Sequence, residues 1–347
     1  MADERGPMSA VGEAGRRARI ESRFDRFPAI RVLVVGDLLL DDYRSGDVDR
    51  ISPEAPVPVV RVRSQRTELG GAGNVARGIV ALGAKCEIVG IAGRDAEGDR
   101  AIELLERLGI STAGIVRSGD RVTPHKIRVV ARGQQMLRID REDDEPPSAE
   151  VLSSLRSKLS SLLPEVDVVI LQDYDKGLFA EGLASWVIES ARRVGVSVVA
   201  DPKHDLRRFH GASLIKPNLE EARAFLPGSV ASFEGRRTLL EKIQRELGGG
   251  EIVLTRGAEG MTALDRAGDV TDVRTRPAEV FDVQGAGDTS IAVLALCRAV
   301  GAPLVEACIV ANAAAAIAVG KMGTAAVDLD ELRRRLPEAL VAYEGGT

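Results

Sequence analysis

The chain repeats one pattern almost from end to end: a short run rich in β-branched residues, a polar or glycine-containing break, then a segment with helical spacing. "RVLVVGD" from Arg31, "CEIVGIAG" from Cys86, "DVVILQDY" from Asp167, "SVVADPK" from Ser197 and "EIVLTRG" from Glu251 read as strands. "NVARGIVALG", "EGDRAIELLERLG", "SAEVLSSLRSKLSSLL", "GLASWVIESARRVG", "LEEARAFL" and "EGRRTLLEKIQRELG" read as helices. Strands without a polar face belong in a sheet covered on both sides. Strand–helix repetition makes that sheet mainly parallel, through right-handed crossovers. The expected class is α/β, doubly wound, with a mostly helical C-terminal part from about Ala286.

Two stretches break the rhythm. Residues 43–69 ("VPVVRVRSQRTEL") and 121–141 ("RVTPHKIRVVARGQQMLRIDR") alternate apolar and polar residues, as strands with one wet face do. They are expected to form a small sheet outside the main one, a lid over the cleft. Its apolar face needs a partner, so a homodimer through the lid is expected. Residues 30–340 are read as one domain with this lid, 341–347 as a tail, and the arginine-rich residues 1–29 as a charged flexible or loosely helical arm.

Composition closes off several classes. A net charge of −5 argues against a nucleic-acid binder working through bulk charge. Three histidines and three cysteines without ligand spacing make a His/Cys metal site improbable, and free thiols suit a reducing cytoplasm. No membrane span and no secretory leader are read from the sequence.

Ligands of doubly wound sheets bind beyond the carboxyl ends of the strands. Candidates there are Asp37 and, one short turn on, Asp41; Asp173 and Lys176; Asp201 and Lys203; Asn218 and Glu221; Thr255, Arg256 and Gly257. Each alone is also an ordinary strand-end cap, and their recurrence at one end argues for a shared site. "LGGAGN" brings Gly70, Gly71 and Asn74 to a helix start, as a tight turn or as a cradle for an oxygen-rich ligand. "FDVQGAGDTSIAVLALC" is more specific. Glycines before an apolar helix let the N–H groups of Gly285, Ala286 and Gly287 converge as an anion hole. Asp288, in the first turn, either complements the helix N-terminus or takes the proton of an attacking hydroxyl while that hole holds a phosphoryl. There is no GxxxxGK[ST], no protein-kinase motif set, and "GDLLLDD" stands where a dinucleotide fold wants GxGxxG.

The early "GGAGN", the late "GAGD" and "NLEE" together resemble the ribokinase-like, PfkB-type family of sugar kinases, over about residues 30–335. Within it, "RISPEAPVPVV", "QQMLRID", "DYDKG", "DPK", "FDVQGAGDT" and "ANAAAAIAVGKMGT" are similar to segments of the heptose 7-phosphate kinases, and a chain ending at Thr347 resembles the stand-alone form. The resemblance implies ATP-dependent phosphorylation of the anomeric hydroxyl of a heptose 7-phosphate, on the route to ADP-heptose. It implies Asp288 as the base, and Asn218 and Glu221 arranging Mg²⁺ through water. Thr255, Arg256, Gly257, Gly260, Asn312 and Lys203 would hold the nucleotide. Asp37, Asp41, Gly70, Gly71, Asn74, Asp173 and Lys176 would hold the sugar, with Lys126, Arg128 and Arg138 on one strand face for its phosphate. Two residues depart from the family pattern. Gln284 replaces the usual threonine, beside a region where Asp282 would neighbour a K⁺ site, and His204 replaces glycine after "DPK". A related sugar kinase and a non-catalytic sugar- or nucleotide-binding protein are the alternatives.

Overall fold

The computed structural model describes residues 13–226, 231–276, 280–321, 323 and 326–345. The chain enters through helix α1 (Glu13–Phe24) and strand β1 (Arg31–Gly36), then turns at once into β2 (Leu38–Ile51) and β3 (Pro58–Gly71). It continues through α2 (Ala72–Ala81), β4 (Lys85–Gly93), α3 (Ala96–Arg107), β5 (Ile115–Ser118), β6 (His125–Ala131) and β7 (Gln134–Arg141). Next come α4 (Ala149–Leu162), β8 (Val168–Gln172), α5 (Leu183–Arg193), β9 (Ser197–Asp201), β10 (Leu214–Ile215), α6 (Leu219–Phe225) and α7 (Phe233–Glu246). The last part is β11 (Glu251–Thr255), β12 (Met261–Leu264), β13 (Val270–Val273), α8 (Ala286–Ala299), α9 (Leu304–Val319) and α10 (Leu329–Glu344).

The main sheet has the order β13-β12-β11-β10-β9-β8-β1-β4-β5. It is parallel from β5 to β11, with an antiparallel margin of β12 and β13. Strand alternation divides its side chains between two cores: Val32 and Val34 pack with α2, α8 and α9, while Leu33 and Val35 pack with α4, α5 and α7. Chain order reverses between β1 and β8, so the crevice of a doubly wound sheet opens beyond Gly36 and Gln172. Among the described residues, no helix is long and apolar enough to cross a membrane.

The lid is a separate sheet in the order β3-β2-β6-β7. Asp41 therefore lies within β2, opposite Glu68, and not on a turn. Lys126 and Arg128 lie on β6 and Arg138 on β7, because the chain reverses at Arg132 and Gly133, both with positive φ. Arg128 pairs directly with Arg138 across that hairpin.

The N-terminal segment differs from the expected arm. Residues 13–24 are helical, and Ile20, Phe24 and Phe27 are buried in the core shared with α9 and α10. Arg19 and Arg23 both bind the buried Glu306 of α9, and Arg16 binds Glu344 of α10. Ile20 and Phe24, four apart on α1, and Phe27 just beyond it make an apolar edge that Arg23 and Arg26 disguise. At the other end, Val341–Glu344, expected as tail, complete α10. Phe24→Ala should therefore cost about 3–5 kcal/mol, as emptying a fully buried phenylalanine site does, measured by urea unfolding; a loss under about 1 kcal/mol would show that α1 is not part of the core.

Candidate active site

The loop before α8 ends at Gly285, whose φ of 76° lies in the left-handed region where a side chain is strained. Among the described residues, no side chain caps this helix. Its first-turn N–H groups therefore lack intrahelical partners and carry the positive end of the dipole. The helix stays fixed because Ile291 through Cys297 are all buried, packed between α2, α9 and the sheet.

Asp288 sits one turn into this helix, only 4% exposed. Asn74 Nδ2 donates to its Oδ2 at 2.6 Å, and the Tyr174 hydroxyl (2.8 Å) and Gln172 Nε2 (3.3 Å) donate to its Oδ1. Burial pushes the carboxyl up to about 7, with the nearby Asp201 charge acting in the same direction; the Asn74 and Tyr174 hydrogen bonds pull it back. A carboxylate poised near neutrality can accept a proton without being fully protonated at working pH. Gln172 also donates to Asp201 Oδ2 (3.2 Å), and Asp201 Oδ1 pairs with the buried Lys216 ammonium at 2.9 Å.

Three cavities meet at this turn. One, of about 480 Å³, lies under the lid and is lined by Asp41, Gly70, Gly71, Lys126, Arg128 and Arg138 among others, with Gln284, Gly285 and Asp288 at its floor. A second, of about 570 Å³, shares Gly285 and Asp288 and extends past Lys203, Lys216, Asn218 and Glu221. The third, of about 400 Å³, is a mainly apolar cleft between Met261, Val280, Val283, Ala315 and Val319; it shares Gly287, Thr255 and Gly257 with the second and reaches Ala286, Gly260 and Asn312.

The expected residues thus gather, but several face other ways. Asp37 Oδ2 accepts the N–H groups of Tyr174 and Lys176, so its carboxyl braces the loop after β8 and does not line the cavity under the lid. Burial and the neighbouring Asp173 push Asp37 up to about 7. Asp173 accepts the Asp175 N–H. Asn74 spends its amide on Asp288 and Arg77. Gly71 must be glycine: its φ is 55°, and a Cβ there would stand 2.5 Å from the Asp37 carbonyl oxygen. The cations under the lid are already paired: Arg128 with Asp41, Arg138 with Asp140, Lys126 with Asp140 and Glu142, and Lys176 with Glu142. His204 is exposed at the rim of this cavity, near Asp175.

Among the residues expected to hold a nucleotide, Arg256 is turned inward, bonding Glu259 and the Met261 carbonyl, so its charge serves the β11–β12 hairpin. Asn312 Nδ2 donates to the Val273 carbonyl. Asn218 and Glu221 form a reciprocal capping box on α6, which occupies Asn218 Oδ1 and Glu221 Oε2. Burial raises the Glu221 carboxyl to about 7. No three His, Cys, Asp or Glu side chains gather as a metal cage among the described residues. Mg²⁺ commonly keeps several waters and takes one or two carboxylates plus phosphate oxygens, so Glu221 beside this cavity fits water-mediated holding and not a direct cage. Asp282 accepts the N–H groups of Gln284 (2.9 Å) and Gly323 (3.2 Å), one on each oxygen. Its carboxylate thus braces two loops, and each oxygen keeps a lone pair for a further ligand.

Gln172, Tyr174 and Lys216 were not among the expected site residues. Gln172 and Tyr174 stand two apart at the end of β8, where alternation would place them on one side, but they lack the formal charge that drew notice to Asp173 and Lys176.

This fold and site define an α/β phosphotransferase of ribokinase-like architecture. The structure matches ribokinase from Arabidopsis thaliana, solved with ribose and ATP, with a TM-score of 0.70, 20% identity and coverage of 88% of this chain and 98% of that one. It matches phosphofructokinase-2 from Escherichia coli, solved with potassium, with a TM-score of 0.74, 19% identity and coverage of 89% and 99%. The pfkB family of carbohydrate kinases matches residues 29–331, and the chain belongs to that family. Among its relatives, the bifunctional protein HldE of Desulfatibacillum aliphaticivorans is 39% identical over 92% of this chain and 65% of its own length. That of Pseudomonas syringae pv. tomato is 44% identical over 90% and 64%. The chain thus spans about 65% of the length of the curated relatives it matches.

Asp37, Glu221 and Asp288 all bind protons more tightly in the folded state than ordinary carboxyls do. Their contribution to stability is present at acid pH and is lost as pH rises toward 7. The ligand-free protein should melt at a higher temperature at pH 5.5 than at pH 8, and Asp288→Asn should reduce that difference. An unchanged pH slope in the variant would contradict the burial of a charged Asp288.

Proposed function

We propose that this carbohydrate kinase transfers the γ-phosphoryl group of ATP to the anomeric hydroxyl of D-glycero-D-manno-heptose 7-phosphate. The observation that carries this reading is the convergence of three cavities on Gly285–Asp288: one under the lid with cations held by carboxylates, one lined by Lys203 and Lys216, one apolar enough for a base. The HldE relatives support a heptose phosphate as acceptor, and the lid cations give its distal phosphate somewhere to bind. Asp140 and Glu142 hold those cations in place until a phosphate takes over their partners, a cost that an unphosphorylated sugar could not offset.

In the proposed reaction the acceptor hydroxyl lies beside Asp288. As its oxygen forms a bond to the γ-phosphorus, its proton passes to an Asp288 oxygen and the bond to the bridging β-γ oxygen breaks, releasing ADP. The N–H groups of Gly285, Ala286 and Gly287 stabilise the charge on the moving phosphoryl. Lys216 and Lys203, at the same cavity, face the departing phosphates. Asn218 and Glu221 would hold Mg²⁺ through water, and when bound it neutralises charge on the β- and γ-oxygens. Thr255, Gly257 and Gly260 line the path from this cavity to the cleft proposed for the base.

The lid leaves Ile51, Val57, Val62, Met136, Leu137 and Ile139 exposed. A second copy covering them completes the proposal, since long edge strands with apolar residues call for a partner. Sedimentation should show a dimer that Leu137→Asp dissociates; a monomer at all concentrations would remove this part of the reading.

Coupled ADP release over a panel of sugars and sugar phosphates tests the function. Turnover should be best with the heptose 7-phosphate, and Asp288→Asn should lower kcat by about 10³-fold or more with ATP binding retained. Arg138→Ala should raise the acceptor KM about tenfold for phosphorylated sugars only. An equal loss with unphosphorylated sugars would refute the phosphate assignment.

A further inference from the structure

Gln284 stands directly before the anion hole and lines the acceptor cavity with Gly285 and Asp288. The Tyr43 hydroxyl, from lid strand β2, donates to Gln284 Oε1. Tyr43 is placed by its own neighbours. It pairs with Arg66 on β3 and with Arg128 on β6, and both guanidinium groups lie against its ring, at 5.0 and 5.4 Å. Arg128 in turn binds Asp41, two residues before Tyr43 on the same strand. Burial, the leading cause, pushes the Tyr43 hydroxyl up to about 12, so it stays a donor at working pH. The Gln284 backbone N–H is fixed by Asp282. Among the described residues, the side-chain amide nitrogen of Gln284 donates to nothing, although its oxygen is engaged.

We propose that Gln284 is an acceptor-selecting residue of this kinase and Tyr43 its positioning residue. With Oε1 clamped from the lid, the Gln284 amide nitrogen donates to a sugar oxygen next to the hydroxyl that Asp288 deprotonates. A threonine at 284 is too short to span from the lid to the acceptor, so this contact separates the present chain from kinases that carry one. The link also ties the lid to the anion hole: Arg128, held by Asp41, packs on the Tyr43 ring, and the Tyr43 hydroxyl holds Gln284.

The inference rests on the kinase reading but not on the identity of the sugar, because the test uses whichever acceptor of the panel turns over best. Gln284→Ala should raise the acceptor KM about tenfold and leave the ATP KM within about twofold, as loss of one buried hydrogen bond to substrate does. Tyr43→Phe should raise it about threefold, and the double variant should be no worse than Gln284→Ala alone. Gln284→Glu, which keeps length but removes the donor, should behave as Gln284→Ala. All four should melt within about 2 °C of the parent. Additive effects of the two positions would overturn the link, and an unchanged acceptor KM in Gln284→Ala would overturn the selecting role. If the heptose 7-phosphate is not turned over while another sugar shows this pattern, the substrate reading fails and the inference stands.

Discussion

A carboxylate buried at the first turn of a buried helix is the constraint on which the rest of this structure depends. Asp288 is held at the switch point of the sheet by donors from three directions: Asn74 from α2, Gln172 from the end of β8, and Tyr174 from the loop beyond. Taking a carboxylate out of water is expensive unless it is hydrogen-bonded or protonated. Here both remedies operate in part, and the compromise is a group that titrates near neutrality. The apolar face of α8 makes the placement possible, because Ile291–Cys297 fix the helix in the core and leave only its first turn at the crevice.

Around that point the molecule separates tasks by chemistry. The apolar cleft lies on the β11–β13 side, the cavity of about 570 Å³ runs over Lys216 and α6, and the cavity of about 480 Å³ is roofed by the lid. Charge is balanced inside each region. The lid cations face Asp41, Asp140 and Glu142, while Lys216 faces Asp201. Such pairing keeps buried charges from being orphaned, at the cost of making the cations available only to a ligand that can replace their partners.

The fold class was legible in the chain because its strands have no polar face and its helices have clear stops. The glycine turn and Asp288 were legible because glycines before an apolar run are unusual. What the sequence did not reveal depends on contacts across strands and between distant segments. Asp140 opposes Lys126 through the β6–β7 register, which no linear spacing shows. Asp37 was legible as a strand-end candidate, but not its bracing of the loop after β8, because its Oδ2 accepts N–H groups 137 and 139 residues away. Helix α1 was legible only as a flexible or loosely helical arm, because Arg23 and Arg26 stand between Ile20, Phe24 and Phe27 and bind Glu306 and the Val300 carbonyl, far along the chain. Gln284 stood out as a departure from a family pattern, but its partner Tyr43 could be found only in three dimensions.

The most direct measurement is the pH dependence of kcat/KM for the acceptor in the parent and in Tyr174→Phe. The account predicts an acid limb near pH 7 in the parent, from Asp288, and its displacement to higher pH in the variant, because the Tyr174 hydroxyl stabilises the charged carboxylate. A profile flat between about pH 5.5 and 8, or a limb that Tyr174→Phe leaves in place, would contradict Asp288 as the base.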